Sequence, residues 1–174
     1  DMVGELLNAL DNGPMANDTL IIFWGDHGYH LGEKENWEKF ALWEDTTHVP
    51  LIIVDPRRTQ PGTRYESPVS LLDLYPTLVE LCGLGLPPQP LEGRSLANHL
   101  TKPGEKSRSV AVTTQGRGNH AIRSSRHRYI RYADGSEELY DHKTDPHEWN
   151  NLAGEPSSAK VKSRLAKRLP TLNA

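Results

Sequence analysis

Cys82 is the only cysteine in 174 residues. An intrachain disulfide is therefore impossible, and so is a zinc site built from cysteines. No apolar run approaches the roughly 20 residues that a membrane-spanning helix needs, and mean hydropathy is −0.64. A basic excess is absent too: 20 Lys and Arg face 23 Asp and Glu, for a net charge of −3. That balance argues against a nucleic-acid binder. Internal repeats and low-complexity tracts are lacking. Gly (14) and Pro (13) are scattered, which fits many turns and excludes a collagenous chain. With 36% hydrophobic and 25% charged residues, one packed domain, or one and a small appendage, is expected. Position 1 is not Met, and Asp1-Met2-Val3 already lies in a helical pattern, which suggests a chain taken from a longer one.

What is present has an order. Met2, Leu6, Leu7 and Leu10 predict an amphipathic helix over 1–10, stopped by Asp11-Asn12-Gly13-Pro14. Residues 19–24 (TLIIFW) form a short apolar run that suits a strand buried on both faces, as in a parallel sheet. Residues 48–55 (HVPLIIVD) predict a second strand, and 37–43 a short helical turn. Residues 70–81 have a helical apolar face, with Gly83 and Gly85 to end it. Pro87-Pro88-Gln89-Pro90 reads as an extended linker. After residue 105, short partly alternating segments at 110–112, 120–123, 128–132 and 138–140 predict an antiparallel sheet. A basic amphipathic helix follows at 160–169. The expected organisation is an α/β portion over 1–104 and a small α+β subdomain over 105–174.

The chemistry concentrates in the loop after the first strand. In open α/β sheets, ligands sit beyond the carboxyl ends of strands. Gly25-Asp26-His27-Gly28-Tyr29-His30 stands there. A carboxylate and an imidazole side by side can both turn to a metal when the next residue lets the backbone bend. Lys39, twelve residues beyond His27, can bring a point charge to an anionic substrate. Each feature also has a plainer reading. Asp-His-Gly occurs in ordinary turns, and Lys39 alone reads as a solvated lysine. His30 and His48 read as hydrogen-bonded structural residues. Cys82 reads as a small core residue, and Trp24, Trp37 and Trp43 as core packing. The arginines between Arg117 and Arg131 read as one exposed sheet face.

The whole segment decides between these readings. The run from Thr19 through Gly25-Asp26-His27-Gly28-Tyr29-His30-Leu31-Gly32-Glu33, then Trp37-Glu38-Lys39, then Thr47-His48-Val49-Pro50-Leu51 resembles the type I sulfatases, within the iduronate-2-sulfatase and choline-sulfatase-like branch. Residues 70–78 (SLLDLYPTL) and 138–153 (ELYDHKTDPHEWNNLA) resemble two further motifs of that family in the right order. The resemblance spans about residues 1–169. It implies an alkaline-phosphatase-like sulfatase fold: the end of the large α/β domain, then a small antiparallel sheet with a packed helix. It implies that Asp26 ligates a divalent cation, usually Ca²⁺, and that His27 stands beside it as a metal and catalytic residue. It implies that Lys39 contacts the sulfate oxygens. Tyr29 and His48 are expected near the substrate. Lys34 stands where a histidine is common in this branch, which points to an altered subsite. A sulfated small molecule or carbohydrate is the implied substrate, an N-terminal sulfatase portion the implied partner, and the periplasm or the exterior the implied location.

The family's nucleophile is a formylglycine made within a Cys/Ser-X-Pro/Ala-X-Arg motif. No such motif occurs in the sequence: Cys82 is followed by Gly83-Leu84-Gly85, and no serine fits. The family's N-terminal paired aspartates are missing as well. The chain alone is therefore expected to be inactive. Two rival readings share the motifs. One is a phosphoesterase or phosphonate hydrolase of the same superfamily, and the other a non-catalytic binding or structural module.

Overall fold

The computed structural model describes residues 1–102 and 110–171. Helix α1 (Met2–Asp11) follows the predicted amphipathic pattern, and none of its residues is buried. Strand β1 (Ile21–Trp24) pairs with β4 (Leu51–Val54), with Ile21 opposite Val54 and Trp24 opposite Leu51. The pairing is antiparallel, which corrects the expected parallel strand. A parallel neighbour needs a crossover helix, and the one α-helix in the connection over 25–50 is the four-residue α2 (Glu44–Thr47). Phe23 and Trp24 are about half exposed, so the apolar run of β1 is not covered on both faces by the described residues.

Within that connection, β2 (His30–Leu31) pairs with β3 (Trp37–Glu38) around a 3₁₀ turn at Glu33–Glu35. The predicted helical turn at 37–43 is thus a strand followed by irregular chain. Lys34, Glu35 and Glu38 hold positive φ angles of 55°, 56° and 122°, a conformation that costs non-glycine residues energy. The hairpin and its contacts to distant segments hold them there.

Helix α3 (Leu74–Leu81) opens through a 3₁₀ turn at Leu71–Asp73. Ser70 and Asp73 form a reciprocal cap, with Ser70 N–H donating to Asp73 Oδ2 at 2.8 Å. Asp73 Oδ1 also accepts from Arg94 N–H at 2.8 Å. The helix stops where Gly83 takes φ +64°. Cys82, expected in the core, is exposed at this end. A short helix α4 (Ala97–Thr101) packs back on α3, with Leu96 N–H donating to the buried Thr77 hydroxyl at 2.8 Å.

Strands β5 (Ala111–Thr114), β6 (His120–Arg123), β7 (His127–Arg131) and β8 (Glu137–Asp141) form one antiparallel meander in sequence order. Both faces of this sheet are covered. Ile122, Tyr129 and Leu139 pack under Leu165 of α5 (Ala159–Ala166). On the other face Ala121, Ile130 and Tyr140 pack under Leu42, with Trp43 beside it. Neighbouring residues therefore serve opposite cores, and alternation is weak. Arg128 is 1% exposed, so the arginines of this stretch do not share one exposed face. The expected boundary at residue 104 lies outside the described residues. Among the described residues, no helix is long and apolar enough to cross a membrane.

Candidate active site

The loop leaving β1 is fixed by two backbone hydrogen bonds. Gly25 N–H donates to the Pro50 carbonyl at 3.0 Å, and Gly28 N–H to the Thr46 carbonyl at 2.7 Å. Asp26 and His27 lie between these anchors. Gly28 is required by close approach: a Cβ there would stand 1.8 Å from the Asp45 carbonyl oxygen. The glycine expected to let the backbone bend instead lets two chain segments meet.

Asp26, His27, Lys39 and His48 line one open cleft of about 1550 Å³ between the β1–β4 pair and β5. The Lys39 ammonium stands 3.1 Å from His27 Nε2. An ammonium only donates, so Nε2 accepts and the ring proton belongs on Nδ1. Nδ1 lies 2.8 Å from the Gly28 carbonyl, which accepts that proton. The Asp26 carboxylate takes a hydrogen bond from His27 N–H at 3.0 Å through Oδ1, and its Oδ2 lies 3.5 Å from Nε2. Its side chain is 84% exposed toward solvent. His48 is exposed, with Nδ1 3.5 Å from Glu44. Tyr29 is about half exposed and does not line the cleft. Lys34 does not line it either: its ammonium lies 4.6 Å from the ring centre of Tyr140 and 4.9 Å from that of Trp43. It donates to the Tyr140 hydroxyl at 3.2 Å and to the Glu148 carbonyl. Lys34 thus pins the loop to the C-terminal segment.

His30 is buried against the edge of Trp43, and both ring nitrogens lack a hydrogen-bond partner among the described residues. The expectation of a hydrogen-bonded histidine holds for its burial only. Trp37 is mostly exposed, and of the three tryptophans read as core only Trp43 packs against one.

Glu44, Arg123 and Arg128, which also line the cleft, belong to a charged cluster that the sequence did not reveal. Arg128 donates to Glu148 at 2.6 Å, to the Leu42 carbonyl at 3.0 Å and to Glu44. Arg123 donates to both oxygens of Glu44, at 2.9 and 3.0 Å. His142 lies between Arg123 (2.9 Å) and Glu148 (2.8 Å). Burial works to raise the Glu44 carboxyl, but the Arg123 hydrogen bond and the Arg128 charge hold it down at about 2. The same contest, with His142 and Arg128 as partners, leaves Glu148 lowered. Glu44, Glu148 and His142 are close enough to hold a metal ion. Two guanidinium groups already occupy the place of the cation, so this cluster does not fit one. It ties the chain just after Lys39 to the small sheet. Glu148 sits in the motif at 138–153, the one signal that pointed to it.

A divalent cation fits Asp26 better, through an exposed carboxylate beside an imidazole on the cleft wall. Calcium takes about 6–8 oxygen ligands, and Asp26 supplies at most two, so the described residues hold only a share of such a site.

The chain is similar to known proteins over nearly its whole length. The Sulfatase family profile matches residues 1–84. A sulfatase of Formosa agariphila is 42% identical over 175 residues, covering 99% of this chain and 34% of that protein. A choline-sulfatase of Rhizobium meliloti is 36% identical over 162 residues, covering 90% and 31%. A solved structure in complex with its substrate D-glucosamine-2-N,6-O-disulfate superposes with a TM-score of 0.85 at 28% identity, covering 96% of this chain and 36% of that one. The chain spans about a third of the length of the relatives it matches. The fold is that of the alkaline-phosphatase-like sulfatases, and the chain belongs to the type I sulfatase family.

Proposed function

We propose that residues 1–174 supply part of the active site of a sulfate-ester hydrolase, with a formylglycine nucleophile outside this chain. The observation that carries this is the convergence of Asp26, His27 and Lys39 on one cleft wall. Lys39 binds sulfate oxygens and offsets charge that develops as the ester bond breaks. Asp26 would ligate a Ca²⁺ ion, which would polarise the sulfate. His27 accepts from the Lys39 ammonium at Nε2 and so orients it toward the substrate. His48 lines the same cleft, where it meets the substrate. Tyr29 stands at the loop edge and takes part only if substrate reaches beyond the cleft.

The substrate class is a sulfated carbohydrate or small molecule, as with the disulfated glucosamine bound by the structural relative. The domain boundary belongs near residue 104, and the periplasm or the exterior is the expected location. Residues 1–174 alone lack a group able to form the covalent sulfate intermediate.

The coding sequence ahead of Asp1 tests this reading. The expected finding is an in-frame Cys/Ser-X-Pro/Ala-X-Arg motif. An unmodified Thr or Ser nucleophile would instead make the protein a phosphoesterase or phosphonate hydrolase. A reading frame that carries no nucleophile motif ahead of Asp1 would make it a non-catalytic module.

A further inference from the structure

Next to the cleft is a second cavity of about 440 Å³, lined by Arg123, Ser125, Arg126, His142 and Lys143. Arg123 and Ser125 also line the cleft that holds Lys39. The two openings therefore meet across the tip of the β6–β7 hairpin, over residues 124–126. No carboxylate residue lines the smaller cavity, although acidic residues outnumber basic ones in the whole chain.

The donors at this place are held in position. Asp141 accepts from Arg126 Nε at 2.7 Å and from Nη2 at 2.5 Å. That fork fixes the guanidinium and leaves Nη1 without a partner among the described residues. The pair is partly neutralised, so Arg126 acts as an oriented donor more than as a net charge. The charge comes from Lys143, an exposed lysine at the turn after β8 whose ammonium makes no hydrogen bond or ion pair among the described residues. The Ser125 hydroxyl, also exposed, has no partner among the described residues either. Arg126, Lys143 and Ser125 thus line a space beside the cleft that no carboxylate residue lines, Asp141 being engaged with Nε and Nη2 of Arg126.

We propose that this cavity is a second anion subsite, which takes a sulfate or carboxylate on the sugar next to the one that carries the scissile sulfate. The proposal rests on the reading of the cleft as a sulfate-ester site. It assigns to the hairpin tip and the turn after β8 the selection of multiply charged glycans over singly charged esters. The chemistry is the same for either anion: a flat or tetrahedral oxyanion met by a fixed N–H donor and a mobile point charge.

The test is a binding titration of the chain with three probes: inorganic sulfate, a disulfated disaccharide and a monosulfated disaccharide that carries a uronate. Lys143→Glu, and separately Arg126→Gln, should weaken the doubly charged ligands about tenfold and leave inorganic sulfate at Lys39 unchanged. Weakening of the disulfated probe alone places sulfate in the subsite, and of the uronate probe alone places carboxylate there; either supports the proposal. Unchanged affinity for both disaccharides in both variants overturns it. Lys39→Ala is the control for the cleft. If it leaves inorganic sulfate binding intact, the reading of the cleft fails on its own, whatever Lys143 does.

Discussion

Lys39 Nζ stands 3.1 Å from His27 Nε2, although twelve residues separate them in sequence. The β2–β3 hairpin turns the chain back so that the two meet at the end of β1. The contact fixes which nitrogen of the ring carries the proton. The expected state is Nδ1–H, donating to the Gly28 carbonyl. Long-range ¹⁵N–¹H correlation of the imidazole reads this directly. A proton on Nε2 at neutral pH would mean that Lys39 does not donate to His27.

Gly28→Ala puts a methyl group where the Asp45 carbonyl oxygen now lies. The loop and the 45–46 backbone must then move apart, breaking the Gly28–Thr46 hydrogen bond. Overpacking of this kind costs about 1–3 kcal/mol. Thermal denaturation should show that loss, and the Lys39–His27 contact should disappear from the imidazole spectrum. A variant with the parent's melting temperature and His27 signals would contradict the close approach.

Acid should loosen the junction between the site loop and the small sheet. The Glu44 carboxyl is held at about 2, below its ordinary value of 4.5, Asp141 at about 2 against 3.8 through its hydrogen bond from Arg126, and Glu148 is lowered as well. A carboxyl depressed in the folded state adds stability above its unfolded value and loses it as pH falls toward the folded one. For Glu44 this is on the order of 3 kcal/mol. Stability should therefore drop between about pH 4.5 and pH 2, and less steeply in Glu44→Gln. Denaturant midpoints across that range measure it, and a flat profile would contradict the cluster's ion pairing.

The exposed apolar side chains of β1, β4 and α1 predict self-association of residues 1–174. Phe23, Trp24, Ile52 and Leu6 are 46–72% exposed, and among the described residues β1 and β4 form a two-stranded sheet with open edges. Sedimentation should show species heavier than 19.5 kDa, with dye binding to apolar surface. A compact monomer with a sharp, reversible thermal transition would show that these faces are tolerated in water.

Much of this layout can be read from the sequence. The helix at Met2–Asp11, the strands β1 and β4, the capped helix after Ser70 and the four-stranded meander all follow from apolar periodicity and turn residues. Asp26, His27 and Lys39 are legible through motif order, since their convergence depends on a hairpin that spacing alone does not reveal. The direction of β1–β4 pairing is not legible, because a short apolar run looks alike in both arrangements. Arg128 and Glu148 are not legible as partners either. Period-2 alternation marks a strand with one wet face, whereas Arg128 lies in a strand packed on both sides and finds its carboxylates at long range. The exposure of Cys82 follows from its place just past the last helical turn, where an apolar neighbourhood in sequence is not one in space.

The most direct test of the central claim is aryl sulfate hydrolysis by a longer chain that carries the formylglycine motif ahead of residues 1–174, with Ca²⁺ present. The expected result is turnover by that chain and none by residues 1–174 alone. Lys39→Ala should lower kcat/KM about 100-fold or more with the circular dichroism unchanged. Undiminished hydrolysis in Lys39→Ala, or turnover by residues 1–174 by themselves, would contradict it.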